Sequence, residues 1–215
     1  MDTVQTRTPF DAAMAAVPVV AIVRLPDAEA AVPVASAVHA GGVRLIEVTL
    51  TTAGALAAVG SMRAAGLDGL CVGMGSVRTA ADAKRAIDAG AEYLVTPTTN
   101  LEVIAAAKAA SAPIVCGGLT PTELDTAHQA GADYVKLFPA SAVGPRYLRE
   151  VLAPMPDLRI VPTGGVNAAN TPDFRAAGAV GVGIGSALVD QHIVASGGWA
   201  ELERGAADLV AAWHG

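Results

Sequence analysis

Two charged residues interrupt segments that otherwise read as strand core: Lys136 in YVKLFP (residues 134–139) and Glu47 in LIEVT (residues 45–49). Side chains alternate along a strand, so Tyr134, Lys136 and Phe138 share one face, as do Glu47, Thr49 and Thr51. An ammonium enclosed by apolar neighbours loses hydration, which lowers its pKa and leaves more of the neutral amine that can attack a carbonyl. Lys136 is therefore a candidate nucleophile; the competing reading is a lysine that snorkels to a rim or sits in a buried salt bridge. A carboxylate beside a carbonyl–amine adduct can move protons while a carbinolamine loses water and while a carbon–carbon bond breaks into an iminium electron sink. Glu47 fits that role. The alternative is a structural Glu47–Lys136 ion pair, although two buried charges cost stability unless well paired.

Arg24 ends the first strand-like run, AIVR, where a guanidinium could hold a carboxylate through two parallel hydrogen bonds. An exposed loop arginine is the ordinary explanation for such a residue. Two glycine-rich segments, PTGGVN (162–167) and GIGSAL (183–188), bring backbone amides close to an oxyanion, each ahead of a helix start. One such turn would mark only a tight bend, whereas two in consecutive final units point to phosphate. Ser76 in VGMGS and Thr96–Pro97 in VTP reach the same rim; Ser76 either donates to a substrate or caps the next segment, and Pro97 can stop its strand. His39, His128, His192 and His214 read as solvated or as compensating helix dipoles, and Trp199, Leu202, Leu209 and Trp213 as packing residues.

The elements that must position these groups repeat. Helix-like stretches end at Ala40-Gly41, Ala65-Gly66, Ala89-Gly90, Ala130-Gly131 and Ala177-Gly178, each followed within a few residues by an apolar run. With the other apolar runs this makes eight strands, starting at Val19, Leu45, Leu70, Tyr93, Pro113, Tyr134, Arg159 and Val180, spaced by roughly 20 to 26 residues, enough for a strand and a covering helix. Thr120-Pro121-Thr122-Glu123 reads as a capping box, Thr171-Pro172 as a second helix start and Thr79 with Asp82 as a third. Strands apolar on both faces need cover outside and filling inside, so a (β/α)8 barrel is predicted over an open doubly wound sheet, which would ordinarily show a Gly-x-Gly-x-x-Gly after the first strand. Short helices at 9–15 and 199–213 close the ends. Glu47 and Lys136 fall on even-numbered strands, whose side chains share interior layers of such a barrel, so the two groups can meet across the lumen.

The totals bound the function. At 215 residues and without a compositional break, the chain is expected to form one domain over 1–215. A formal net charge of -6 argues against a general nucleic-acid surface, while leaving room for a local anion site. Two cysteines, Cys71 and Cys116, lack paired metal-ligand spacing and make no disulfide framework, which suits a reducing cytoplasm. No leader-like start and no apolar run of membrane-spanning length is present, so a soluble protein without membrane partners is expected.

Taken together, GGVRLIEVTLTT, VGMGS, VTP, YVKLFPAS, VPTGGV and GIGSAL, in this order from about Val19 to Leu188, resemble the 2-keto-3-deoxy-6-phosphogluconate and 4-hydroxy-2-oxoglutarate aldolase family. The resemblance implies a class I aldolase, usually a homotrimer, that forms a Schiff base with pyruvate and uses no metal or other cofactor. It implies Lys136 as the imine-forming residue, Glu47 as general acid/base, and Thr163, Gly164, Gly165, Gly185 and Ser186 around a phosphate. Ser76 stands where the family often has Thr, which keeps the hydroxyl. Thr51 stands where some members place a carboxylate-binding Arg; others carry that Arg at the end of strand one, which Arg24 matches. Phe138 is then expected over the pyruvyl carbons and Pro97 in the pocket wall. The reaction implied is reversible cleavage of 2-keto-3-deoxy-6-phosphogluconate to pyruvate and glyceraldehyde 3-phosphate. Alternatives are 4-hydroxy-2-oxoglutarate or an unphosphorylated 2-keto-3-deoxy sugar acid as substrate. Further off lie a phosphosugar isomerase or epimerase, a thiamine-phosphate-synthase-like barrel, and a non-catalytic barrel.

Overall fold

The computed structural model describes residues 8–215. Eight parallel strands alternate with helices in the order expected: β1 (Val19–Val23), β2 (Leu45–Thr49), β3 (Cys71–Gly75), β4 (Leu94–Val95), β5 (Ile114–Gly118), β6 (Tyr134–Leu137), β7 (Ile160–Pro162) and β8 (Val182–Ile184). Strands β1 to β7 pair in sequence order, and β1 also pairs with β8. The seam between β7 and β8 is held by a parallel bridge between Thr163 and Gly183 and by the Val180 amide donating to the Ile160 carbonyl at 3.0 Å. The result is a nearly closed (β/α)8 barrel.

The apolar residues divide into two shells. Outward-facing strand residues such as Val19, Ile46, Val72 and Val135 pack under the helices. Inward-facing residues, among them Val20, Leu45, Val95 and Val161, fill the lumen. Helix α1 (Pro9–Ala16) plugs the end where the strands begin: Phe10 is fully buried and packs on Tyr93 and Tyr134, with ring centroids at 4.6 and 5.4 Å. At the other terminus α10 (Trp199–His214) buries Leu202, Leu209 and Trp213, as the packing reading requires.

The helix signals behave as capping chemistry predicts in most places. Thr120 and Glu123 form the full capping box at α6 (Pro121–Gln129), and Thr79 caps α4 (Ala80–Asp88) by accepting from the Asp82 amide. The Thr171-Pro172 start is displaced by one residue: Thr171 lies inside α8 (Thr171–Ala176), and its hydroxyl donates back to the Asn167 carbonyl at 2.7 Å. Of the Ala-Gly junctions, Gly66, Gly90, Gly131 and Gly178 take positive φ, but at the first one the left-handed residue is Gly42. Gly41 instead admits α10, since a Cβ there would lie 2.6 Å from the Ala206 Cβ. The sequence pattern was right about a glycine and wrong about its reason at that position, because close helix packing and helix termination both select Gly.

Candidate active site

The barrel places Lys136 and Glu47 on its inner surface, 6% and 1% exposed. Glycines clear the space around them. Gly117 pairs with Lys136 across β5 and β6, and a Cβ on Gly75 would lie 2.6 Å from Glu47 Oε1. Burial pushes the Lys136 amine below the usual lysine range; the Glu47 charge opposes that shift and the Arg24 charge adds to it. Burial likewise holds the Glu47 carboxyl above the usual range, against the lowering pull of Lys136 and Arg24. The two groups sense each other without forming a contact ion pair, since no approach of 4.0 Å or less links them among the described residues. An amine biased toward its neutral form beside a carboxyl biased toward its protonated form is suited to carbonyl addition followed by proton transfer.

A cleft of about 500 Å³ opens over Lys136 at the ends of β1, β6, β7 and β8. Eight residues singled out in the sequence line it: Arg24, Lys136, Phe138, Thr163, Gly164, Gly165, Gly185 and Ser186. The end of the cleft that follows β7 and β8 is built from loops. Gly164 and Gly165 have φ of 90° and 75°, a left-handed pair that turns the chain outward, and the amides of Gly165 and Ser186 have no protein acceptor among the described residues. Arg24, exposed at the end of β1, the strand paired with β8, supplies a cation to the cleft.

Four other sequence candidates lie outside this cleft. Glu47, 1% exposed on the inner surface, does not line it. Thr51 leaves the lumenal row because β2 stops at Thr49: the turn exposes Thr51 and turns Thr52 inward, where its hydroxyl accepts from the Leu25 amide at 3.2 Å. Ser76 is half-buried after β3 with φ of 59°. Pro97 closes over Gly117, at which a Cβ would lie 2.6 Å from the Pro97 carbonyl oxygen. The structure adds Asn167, Asp190, Gln191 and His192 to the cleft. His192, read from the sequence as a solvated residue, is exposed and also lines the rim. The signal for these was present: Asp190 is an N-cap whose carboxylate accepts from the His192 and Ile193 amides, fixing α9 (Gln191–Ala195) against the mouth.

The family described as KDPG and KHG aldolase matches residues 10–205. This chain belongs to that family. The aldolase is 35% identical over 191 residues, 88% of this chain and 90% of the other, to 2-dehydro-3-deoxy-phosphogluconate aldolase of Treponema pallidum (strain Nichols). It is 32% identical over 194 residues, 90% of this chain and 91% of the other, to KHG/KDPG aldolase of Escherichia coli (strain K12). Among solved structures, KDPG aldolase from Legionella pneumophila, with pyruvate captured at low pH as a covalent carbinolamine intermediate, superposes with a TM-score of 0.86 at 27% identity. That match covers 94% of this chain and 98% of the other. The aldolase is therefore a carbon–carbon lyase acting on small molecules. No helix of the described residues is long and apolar enough to cross a membrane, and these residues contain no cluster of three or more His, Cys, Asp or Glu placed to hold a metal ion.

Proposed function

We propose that this aldolase reversibly cleaves 2-keto-3-deoxy-6-phosphogluconate to pyruvate and glyceraldehyde 3-phosphate through a Schiff base on Lys136, with Glu47 as general acid/base. The observation that carries this reading is a lysine 6% exposed at the floor of the cleft, its amine held below the usual range beside a buried carboxyl. The neutral Nζ adds to the C2 carbonyl. Glu47 protonates the departing hydroxyl, and water leaves as the iminium forms. Loss of the C4 hydroxyl proton to Glu47 then breaks C3–C4, the electron pair moving onto the iminium to give an enamine. Protonation of C3 and hydrolysis release pyruvate and return the free amine. Arg24 binds the carboxylate, Phe138 covers the pyruvyl carbons, and Thr163, Gly164, Gly165, Gly185 and Ser186 cradle the phosphate. Ser76, Thr51 and Pro97 complete the neighbouring rim. The same reading includes a cytoplasmic homotrimer without cofactor.

Borohydride reduction in the presence of pyruvate tests it: intact mass and peptide mapping should find one reduced pyruvyl group on Lys136, and label elsewhere or nowhere rejects the mechanism. The KHG/KDPG name of the Escherichia coli relative favours 4-hydroxy-2-oxoglutarate as a second substrate. Comparing kcat/KM for the two substrates decides between them, since a working phosphate subsite favours the phosphorylated one strongly.

A further inference from the structure

Two buried side-chain polar atoms lack a hydrogen-bond partner among the described residues, Glu47 Oε2 and Tyr93 Oη. They belong to one row of the lumen. Glu47 pairs with Gly73 across β2 and β3, and Met74 pairs with Leu94 across β3 and β4, so Gly73 stands between Glu47 and Tyr93. Gly73 has no side chain to separate them, and a Cβ there would lie 2.5 Å from Tyr93 Cζ. The phenolic end of Tyr93 therefore crosses the gap that Gly73 leaves, aimed toward the strand that carries Glu47. The Glu47 carboxyl lies over Gly75, the next lumenal position, about 6.6 Å further along the strand at ordinary strand rise. On the far side the Phe10 ring supports Tyr93.

A buried hydroxyl and a buried carboxyl oxygen that both lack partners are rare in a folded core, and each would be costly alone. Here the phenol offers the donor that the carboxyl lacks, one layer away. Neither oxygen has a partner within hydrogen-bond distance, so the two are not bonded directly; one water touching both would satisfy both, and such a water needs two to four polar partners to persist in an interior. We propose that Tyr93 is a positioning residue for this aldolase: its hydroxyl donates to one buried water, which donates to Glu47 Oε2 and holds the carboxyl toward the Lys136 adduct. The assignment rests on Glu47 being the acid/base.

A donor to the ionised carboxyl favours that form, so the relay works against burial and lowers the pH at which Glu47 serves as base. The other charged or titratable groups that act on the pair are Lys136 on β6 and Arg24 at the end of β1, whose charges act on Glu47, and Cys71 on β3 and Glu92 ahead of β4, whose charges act on Tyr93. Asp11 of α1 acts on Cys71 and on Tyr134.

Tyr93→Phe keeps the ring and removes only the hydroxyl. Exchange of the pyruvate methyl protons with deuterium, followed by NMR across pH, reads proton transfer at Glu47; borohydride capture of pyruvate reads the Lys136 imine separately. The variant should still capture pyruvate, while the acid limb of exchange moves up by about one pH unit and the plateau falls about tenfold, the size of one lost hydrogen bond to a charged group. Capture with an unmoved limb and plateau overturns the Tyr93 assignment alone, and a higher Tm in that case marks the hydroxyl as an unsatisfied passenger. Failure of the parent enzyme to capture pyruvate overturns the Lys136 reading and this one with it.

Discussion

Lys136 Nζ lies 5.1 Å from the centre of the Phe138 ring, two residues further along the same lumenal row. The ring acts on the amine in two opposed ways. Its face attracts a cation, by about 0.5–1 kcal/mol at exposed sites and more where water is excluded. Its bulk excludes water, which favours the neutral amine, and burial is the largest influence on Lys136. Phe138→Ala should therefore raise the Lys136 pKa toward the ordinary lysine value and move the acid limb of imine formation to higher pH. The rate of borohydride-trapped pyruvate against pH measures this, and a limb that moves down would mean that the cation–ring attraction outweighs the burial.

Glu47→Gln keeps the shape of the side chain and removes its proton chemistry. Exchange of pyruvate methyl protons should fall by about 10²- to 10⁴-fold, the usual range for a lost general acid/base. The Glu47 charge raises the Lys136 pKa, so its removal should shift the amine further down and let capture of pyruvate begin at lower pH. A variant that exchanges protons at the parent rate would remove Glu47 from the mechanism.

Gly165 has φ of 75°, and a Cβ there would lie 2.6 Å from the Ser141 Cβ. Gly165→Ala must shift the loop and misplace its amides. Loss of one charge-assisted hydrogen bond corresponds to about a ten- to hundredfold drop in kcat/KM for the phosphorylated substrate. Pyruvate exchange, which needs no phosphate contact, should hold its parent value. Equal loss on both would place the phosphate elsewhere.

The buried pair should weaken the fold at neutral pH. The folded pKa of Glu47 is raised, so its contribution to stability is full below the unfolded value and is lost as pH rises through the folded one. The folded pKa of Lys136 is depressed, so its contribution is full above the unfolded value and is lost as pH falls through the folded one. Near neutrality both penalties apply. Replacing the two together, Glu47→Leu with Lys136→Met, should abolish activity and stabilise the fold by up to about 4 kcal/mol. Each 1 kcal/mol should appear as a rise of about 2–4 °C in a thermal melt of a chain this size. A lower Tm for the double variant would mean that the pair stabilises the barrel.

The architecture was legible because it is written in local periodicities. Eight apolar runs, their spacing and the helix stops between them specify a (β/α)8 barrel without any long-range information, and the alternation in β2 and β6 placed Glu47 and Lys136 inward. Alternation loosened where the strand ended: Thr51, expected on the Glu47 face, is exposed in the turn after Thr49 yet its hydroxyl still meets that of Thr49 at 2.9 Å, while Thr52 is buried beside them. β4 was also longer in the sequence reading: Tyr93 has the strand-like alternation and lumenal burial, and its carbonyl accepts from the Met74 amide at 3.0 Å, but the regular strand spans only Leu94–Val95.

What the chain's own order of residues determined is which side chains face the lumen, because that follows from a period of two and from the chemistry of neighbours in sequence. Only the closed barrel decided who meets whom. Gly73 between Glu47 and Tyr93, Phe10 beneath Tyr93, and the α9 cap at Asp190 in the cleft that holds Lys136 join residues tens of positions apart. Such meetings depend on strand register and barrel closure, which are set by the packing of the whole lumen and leave no mark on any single segment.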